Sequence, residues 1–132
     1  MSGETDLATL LRSMQPVVRP DTYVFVTLPP GEPVPAKLSP VMTFREDEGV
    51  TLIVPRHEAK AAGLAGAFPC RIITLNVHSS LQAVGFLATV AARLAAAGIS
   101  ANAVSAFYHD HLFVPVDRAE EAVRVLEELA RG

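Results

Sequence analysis

The stretch YHDHLF, residues 108–113, concentrates side chains that could bind a metal or transfer a proton. Imidazole and carboxylate groups are common zinc ligands, and they also act as general acids and bases. In one continuous strand His109 and His111 would lie on the same face, whereas a turn at His109 and Asp110 would separate them. The stretch therefore allows three interpretations: a metal site, an acid–base pair, or the turn between two strands.

A metal site at this stretch lacks further ligands at a suitable spacing. Zinc sites use three or four ligands, which hydrogen-bonding partners hold in place. The remaining candidates His57, Cys70 and His78 are scattered along the chain. We therefore expect no metal and no other cofactor. We expect His109 to line a ligand pocket and His111 to be a surface residue of a strand.

Catalytic motifs are also lacking. Ser79 and Ser80 do not stand in a nucleophile elbow, and the chain contains no phosphate-binding loop or G-x-G-x-x-G pattern. An enzyme that uses His78, His109 and Asp110 as acid–base groups remains an alternative.

Composition and charge limit the classes of partner. The 132 residues suffice for one domain or for two very small halves that share a core, and half of them are hydrophobic. The formal net charge is −3, and the basic residues are scattered. Binding to nucleic acid or to an anionic membrane requires a basic patch, so we expect neither partner.

The cysteine content and the N-terminus indicate the compartment. The single cysteine, Cys70, excludes an intrachain disulfide and fits a reducing environment. The first residues are polar and acidic, unlike a signal peptide. Three polar residues interrupt the longest apolar run, 81–99, which favours a buried helix over a membrane span. We therefore expect a cytoplasmic protein.

The first half of the chain predicts a helix, three strands and a second helix. Apolar residues recur at helical spacing before Pro16, and β-branched and aromatic residues fill the predicted strands. Asp47, Glu48 and Gly49 form a hairpin turn. The predicted elements are a helix over 6–14 capped by Thr5, strands over 22–28, 41–46 and 50–54, and a helix over 58–62.

The second half predicts the order β-α-β-β-α, the ferredoxin-like pattern without its final strand. Ser79 and Gln82 have the spacing of a capping box that opens the middle helix, and Gly98 ends it. The other predicted elements are strands over 71–77, 102–108 and 111–116, with a turn at His109 and Asp110, and a last helix capped by Asp117.

The middle helix is apolar over more than half its circumference. Its main stripe is predicted to comprise Val84, Leu87, Ala88, Ala91, Leu94 and Ala95. Phe86 and Val90 lie off this stripe, so we expect a second face to meet the other half or another subunit.

The segment TLNVHSSLQAVGFLATVAARLAAAGISANAVSAFYHDHLFVPVDRAEEAVRVLEEL, residues 74–129, resembles an ACT domain, a small ligand-binding βαββαβ module attached to many enzymes of amino-acid pathways. In that family a glycine stands at the start of the first helix, and an AGI turn ends the helix. Gly85 and AAAGIS (95–100) occupy these places. The family's Asp-x-x-Pro-Gly is replaced by LQAVG (81–85), which retains the glycine.

The segment FREDEGVTLIVPRHE, residues 44–58, is similar to the degenerate N-terminal half of a tandem-ACT group that includes amino-acid-sensing proteins. The resemblance implies an α+β, ferredoxin-like ACT fold. It implies two ACT-like halves, 1–66 and 67–132, in which helices cover antiparallel sheets.

The resemblance also implies a ligand site. Backbone N–H groups of Val84, Gly85 and Phe86 at a helix start would hold a carboxylate, although the donors could instead be those of 81–83, and Gly85 could serve packing alone. In the family a Ser-Thr-x-x-x-Asp stretch reaches the ligand. Ser105 and Asp110 match it, and Ala106 replaces the threonine.

Asp110 would then pair with an ammonium group, although an aspartate also suits a tight turn. His109 would line the same pocket. The predicted ligand site is therefore Val84, Gly85, Phe86, Ser105, His109 and Asp110.

The resemblance favours a non-catalytic module that senses an amino acid or a similar zwitterion and acts as a homodimer with the ligand at its seam. The alternatives are a protein-interaction or assembly module with a vestigial pocket, and the acid–base enzyme described above.

Overall fold

The computed structural model describes residues 2–132. Within this range the chain forms seven strands, four α-helices and one 3₁₀ turn. In chain order these are α1 (Leu7–Ser13), β1 (Pro16–Val18), β2 (Tyr23–Leu28), β3 (Met42–Glu46), β4 (Gly49–Pro55), α2 (Arg56–Ala61), β5 (Ala67–Leu75), α3 (Phe86–Ala96), β6 (Asn102–Ser105), β7 (Asp110–Pro115), the 3₁₀ turn (Val116–Arg118) and α4 (Ala119–Arg131).

One compact unit joins the chain up to Arg19 to Arg71–Gly132. Its strands lie in the order β1-β5-β7-β6, and β1 runs antiparallel to β5. This is the strand order of the ferredoxin-like fold, with β1 in the place of the final strand that the second half lacks. The predicted α+β, ferredoxin-like fold class is confirmed.

The core of this unit lies between its sheet and its helices. Apolar residues of α1, α3 and α4 are buried there against apolar residues of β5 and β7. The largest fully buried side chains of this cluster are Leu10, Ile73, Leu75, Val90, Leu94, Leu112, Val114 and Leu126.

The second compact unit comprises Pro20–Cys70. In it β4 pairs with both β2 and β3, and β2 also pairs with the first residues of β5. Its core contains Val24, Val26, Leu28, Leu38, Leu52, Val54 and Ala59. The β3–β4 turn needs Gly49, because a Cβ there would overlap the carbonyl oxygen of Leu28. The hairpin predicted for this region is therefore present, in the register Glu46 to Gly49.

Three predicted helix starts are wrong. Asp6, rather than Thr5, caps α1 and accepts a hydrogen bond from the Thr9 N–H. No side chain caps α4, which follows the 3₁₀ turn instead of beginning at Asp117. α3 begins at Phe86 rather than near Ser79, because residues 76–85 form a loop.

The hairpin near the C-terminus is displaced from its prediction. β6 ends at Ser105, and residues 106–109 form the turn, which the Ala106 N–H closes by donating to the His109 carbonyl. Asp110 therefore lies in β7 opposite Ser105 and is not a turn residue. β1, which has only three residues, was not predicted at all.

The predicted apolar stripe of α3 is also wrong. Phe86, Val90 and Leu94 form its buried face and pack into the core of their own unit. Ala88 and Ala91, which were assigned to the stripe, are exposed. Packing of α3 against β5 and β7 selects the face that carries Phe86, Val90 and Leu94, which share one side at a spacing of four residues.

The division of the chain into halves 1–66 and 67–132 stays a prediction. β5 begins at Ala67 and continues past Cys70, after which the boundary between the two compact units falls. In residues 2–132, no helix is long and apolar enough to cross a membrane.

Candidate functional site

Asp110 is the most deeply buried carboxylate of the described chain, with 7% of its surface exposed. The Ser105 hydroxyl donates a hydrogen bond to Oδ1 at 2.5 Å, and the Ser79 hydroxyl donates to Oδ2 at 3.3 Å. Within residues 2–132, no Lys, Arg or His nitrogen lies within 4.0 Å of it. A buried carboxylate that has hydroxyl partners but no paired cation favours the binding of a positively charged ligand group.

The loop over residues 76–85 brings Ser79 to this carboxylate. The N-terminal segment fixes the loop, because the Glu4 N–H donates to the His78 carbonyl and the Ser80 N–H donates to the Glu4 carbonyl. A side chain at Gly3 would meet the Ser80 nitrogen at 2.7 Å, so this close approach requires glycine. The Ser80 hydroxyl then accepts from the Gln82 N–H in a local turn.

The start of α3 carries unused hydrogen-bond donors. Gly85 is its N-cap residue in the left-handed conformation, with φ 93°, and no side chain caps the helix. The first intrahelical bond runs from the Thr89 N–H to the Gly85 carbonyl. The N–H groups of the first turn therefore have no intrahelical acceptor and carry positive partial charge.

A cavity of about 80 Å³ lies beside both features. It joins the buried carboxylate, the loop and the first turn of α3 in one space. Its lining residues are Ser79, Ser80, Leu81, Ala83, Phe86, Leu87, Ser105, Ala106 and Asp110. The cavity thus joins a carboxylate to two first-turn residues of α3, Phe86 and Leu87, and these are the two features that the charges of a zwitterion require.

Of the six residues in the predicted site, the structure places Phe86, Ser105 and Asp110 in the cavity wall. Gly85 adjoins the wall as the N-cap residue. Val84 is 85% exposed, and neither it nor His109 lines the cavity.

The sequence reasoning missed Ser79 and Ser80, whereas Leu81 and Ala83, which belong to the alternative donor segment 81–83, do line the cavity. The capping-box spacing of Ser79 and Gln82 predicted a helix start at this point. That interpretation made Ser79 a helix cap and not a residue of a cavity wall. The signal that pointed to this loop was Gly85, since a glycine before an apolar helical run often marks a helix boundary.

The histidines do not converge on one site. The His78 ring lies against Tyr108 with its Nε2 3.1 Å from the Ser2 hydroxyl, whereas the His109 ring faces His111 with 6.3 Å between centroids. In the described part of the chain, no group of three or more His, Cys, Asp or Glu side chains could hold a metal ion.

His111 is half-buried rather than a surface residue, which corrects its predicted place. Its Nδ1 lies 3.0 Å from the Thr74 hydroxyl. Burial lowers its pKa below the ordinary value, and the positive charge of Arg19 and the neighbouring His109 lower it further, against an opposing effect of Asp110.

Four large apolar side chains are exposed in the two loops that contribute to the cavity wall. This apolar rim consists of Leu81, Val84, Phe107 and Tyr108. The aromatic rings of Phe107 and Tyr108 contact each other edge to face, with 4.9 Å between centroids. Exposed apolar side chains that contact each other, as Phe107 and Tyr108 do, mark interaction surfaces more often than isolated ones do.

The fold and the cavity define a ferredoxin-like module with a small polar pocket at the first turn of a helix. The chain belongs to the ACT domain family, whose models match residues 2–71 and 67–128. ACT domains are typically regulatory, non-catalytic modules, and membership of this family supports a regulatory, small-molecule-binding role for the chain.

Similar solved structures extend over nearly the whole chain. A Vibrio cholerae protein of unknown function, called a possible transport protein, is 41% identical and has a TM-score of 0.82, with 98% of this chain and 99% of that chain covered. An Agrobacterium tumefaciens protein is 18% identical with a TM-score of 0.74 and 89% coverage of each chain.

The ligand-free regulatory subunit of aspartate kinase from Thermus thermophilus is 12% identical, with a TM-score of 0.67 and coverage of 90% of this chain and 97% of that chain. At these two lower identities the similarity concerns the fold alone. No curated protein sequence matches the chain at a significant level.

Proposed function

We propose that the protein binds a free amino acid, or a similar small zwitterion, in the cavity between Asp110 and the first turn of α3. The observation that carries the proposal is that a buried carboxylate, which no Lys, Arg or His of residues 2–132 pairs with, and the uncapped start of α3 lie in one cavity wall. The two charges of an α-amino acid have the signs that these two features complement.

The ammonium group has a complete set of acceptors in this arrangement. Asp110 accepts from Ser79 and Ser105, and each hydroxyl oxygen keeps a lone pair that can accept from the ligand. An ammonium donates three hydrogen bonds, so it can contact the carboxylate and both hydroxyls. The negative charge of Asp110 would then be paired, which removes the cost of its burial.

The carboxylate of the ligand takes the place of the missing helix cap. Phe86 and Leu87 line the cavity, and their N–H groups lie in the first turn of α3, where they have no intrahelical acceptor and no side-chain cap. A carboxylate at this position gains from the hydrogen bonds and from the helix dipole, about 0.3–1 kcal/mol for the dipole at an exposed site. Gly85 permits this close approach, because it has no side chain.

The proposal includes regulation through a homodimer. The apolar rim lies in the loops that form the cavity wall, so a second copy on the rim would bring its surface next to the ligand. Binding would then stabilise one arrangement of the subunits. The aspartate kinase regulatory subunits share the fold and are regulatory by name, which agrees with this role. We place this function in the cytoplasm, without nucleic acid or membrane as a partner.

Isothermal titration of the full chain with the twenty amino acids tests the proposal. We expect at least one to bind, and its N-acetyl and methyl-ester derivatives, which each lack one charge, to bind at least tenfold more weakly. A charge-assisted hydrogen bond contributes about 1.5–3 kcal/mol, which is roughly ten- to a hundredfold in affinity.

The matched variants are Asp110→Asn and Asp117→Asn, since Asp117 is an exposed aspartate outside the cavity. We expect only Asp110→Asn to lose binding. Equal affinity of both variants would contradict the ammonium contact. Failure of every amino acid to bind would instead favour the assembly module, for which the apolar rim is the supporting observation.

A further inference from the structure

The size and lining of the cavity also restrict which amino acid fits. We propose that the site selects small neutral amino acids, namely glycine, alanine and serine, against larger or charged ones. This inference rests on the proposed function, since it concerns the side chain of a ligand whose charged groups lie as described above.

The volume sets the first restriction. The cavity measures about 80 Å³, whereas pockets for drug-sized ligands measure about 300–1,000 Å³. One water-sized group needs about 10–15 Å³ in this measure, so the cavity accommodates roughly five to eight such groups. The ammonium, α-carbon and carboxylate fill most of that space. The remainder accepts a methyl or hydroxymethyl group.

The side chains of α3 that line the cavity cannot easily move outward to admit a larger ligand. Phe86 is 3% exposed and belongs to the core cluster of its unit, and Leu87 and Ala83 pack against the same cluster. Side chains in such cores are close-packed, and displacing them costs free energy. The cavity wall formed by the start of α3 is therefore rigid, and a branched ligand side chain would collide with it.

The lining excludes a second charge. Asp110 is the only ionisable side chain among the residues that line the cavity, and in the proposal the ligand ammonium pairs with it. An aspartate or glutamate ligand would bring a further carboxylate close to Asp110 without a cation. A lysine or arginine ligand would bring a second positive charge, for which the lining offers no acidic partner once Asp110 pairs with the ligand ammonium. A buried charge without a partner is strongly unfavourable.

Titration of the full chain with six amino acids tests this selectivity. We expect glycine, alanine and serine to bind at least tenfold more tightly than leucine, aspartate and lysine. Leucine, aspartate or lysine binding as tightly as alanine would overturn the selectivity and leave the proposed function intact. No binding by any of the six or by the other amino acids would overturn the proposed function itself.

Two variants of the cavity wall test the same restriction by changing the space that the ligand side chain occupies. Ala106→Val places two methyl groups at the cavity and should weaken alanine and serine binding at least tenfold. The control is Ala103→Val, an equal change at an exposed β6 position outside the cavity. Circular dichroism establishes that both variants are folded, and equal affinities for alanine would contradict the assigned cavity.

Leu87→Ala acts in the opposite direction. Removal of the Leu87 side chain enlarges the cavity, so we expect leucine or valine binding to strengthen relative to alanine by at least threefold. An unchanged ratio of leucine to alanine affinity would show that this wall does not set the ligand size.

Discussion

At the scale of single residues, Asp110 combines two features that rarely serve stability alone. It is buried, and its partners are hydroxyls rather than a cation. A structural carboxylate at this depth is normally paired with a charge or bonded to several backbone N–H groups. The arrangement at Asp110 is therefore better suited to a bound cation than to the stability of the ligand-free protein.

His111 makes stability depend on pH. Because burial and the charges of Arg19 and His109 lower its pKa, and Asp110 only partly offsets them, the unfolded chain binds this proton more readily than the folded one. The contribution of His111 to stability is present above its unfolded pKa of about 6.5 and is lost as the pH falls through the lower folded value.

We therefore expect urea denaturation to give a smaller free energy of unfolding at about pH 5 than at about pH 7.5. His111→Gln, which can keep a hydrogen bond to Thr74, should reduce that difference. His57→Gln changes an exposed histidine on α2 and should leave the difference as it is in the wild type. A pH dependence that is the same in both variants would contradict the role of His111.

The resemblance to the ACT family predicted part of the candidate site. Ser105 and Asp110 carried a recognisable spacing, and both line the cavity. Ser79 could not be recognised, because its contact with Asp110 joins residues 31 positions apart and depends on the path of the loop. His109 was assigned to the pocket on chemical type, although the turn over residues 106–109 leaves it outside the wall.

At the scale of elements, the start of α3 connects fold and site. A helix that began at Ser79, as its capping-box spacing predicted, would have used Ser79 as a cap. In the structure the chain bends at Gly85 instead, and Ser79 is free to contact Asp110. Local spacing could not distinguish the two outcomes, because the loop depends on hydrogen bonds to Glu4, distant in sequence.

Substitution of Gly85 tests this bend. An L-residue in the left-handed conformation costs roughly 1–2 kcal/mol, whereas asparagine tolerates it better. A Cβ at Gly85 would lie 3.7 Å from Leu7 Cδ2, an ordinary contact, so backbone strain is the main effect. We expect Gly85→Ala to lower the free energy of unfolding by about 1–2 kcal/mol and Gly85→Asn by less, in urea denaturation. Equal stability of Gly85→Ala and the wild type would contradict the strained cap.

The hairpin of β3 and β4 was predictable for the opposite reason. Its two strands are neighbours in sequence, and the turn at Asp47 to Gly49 carries a local signal. β1 was not predictable from the sequence, because three residues give no periodicity and its pairing partner β5 lies more than fifty positions away. Elements set by local chemistry were thus predictable, and elements set by distant pairing were not.

At the scale of the whole molecule, the order of elements predicted the ferredoxin-like class. The sequence pattern left the second half without a final strand, and β1 supplies that strand from the N-terminal side. The limits of the two compact units could not be read from the sequence, because the chain up to Arg19 packs with Arg71–Gly132.

The proposed homodimer makes a prediction about association. If the apolar rim is the subunit contact, Val84→Arg places a charge in it and should raise the dimer dissociation constant at least tenfold. Sedimentation equilibrium over a range of protein concentrations measures that constant. Val34→Arg provides the control, since Val34 is also an exposed valine but lies in the loop between β2 and β3.

Ligand binding and association must be coupled if the cavity borders this contact. A ligand that favours the dimer is itself bound more tightly by the dimer, by the same factor. We expect alanine or serine at saturating concentration to lower the dissociation constant of the wild type, and Val84→Arg to weaken ligand binding although Val84 does not line the cavity. A monomeric wild type would show that the apolar rim is not a subunit contact, and so would a Val84→Arg variant with the same dimer dissociation constant as Val34→Arg. In either case the proposed amino-acid site would still be tested by the Asp110→Asn variant.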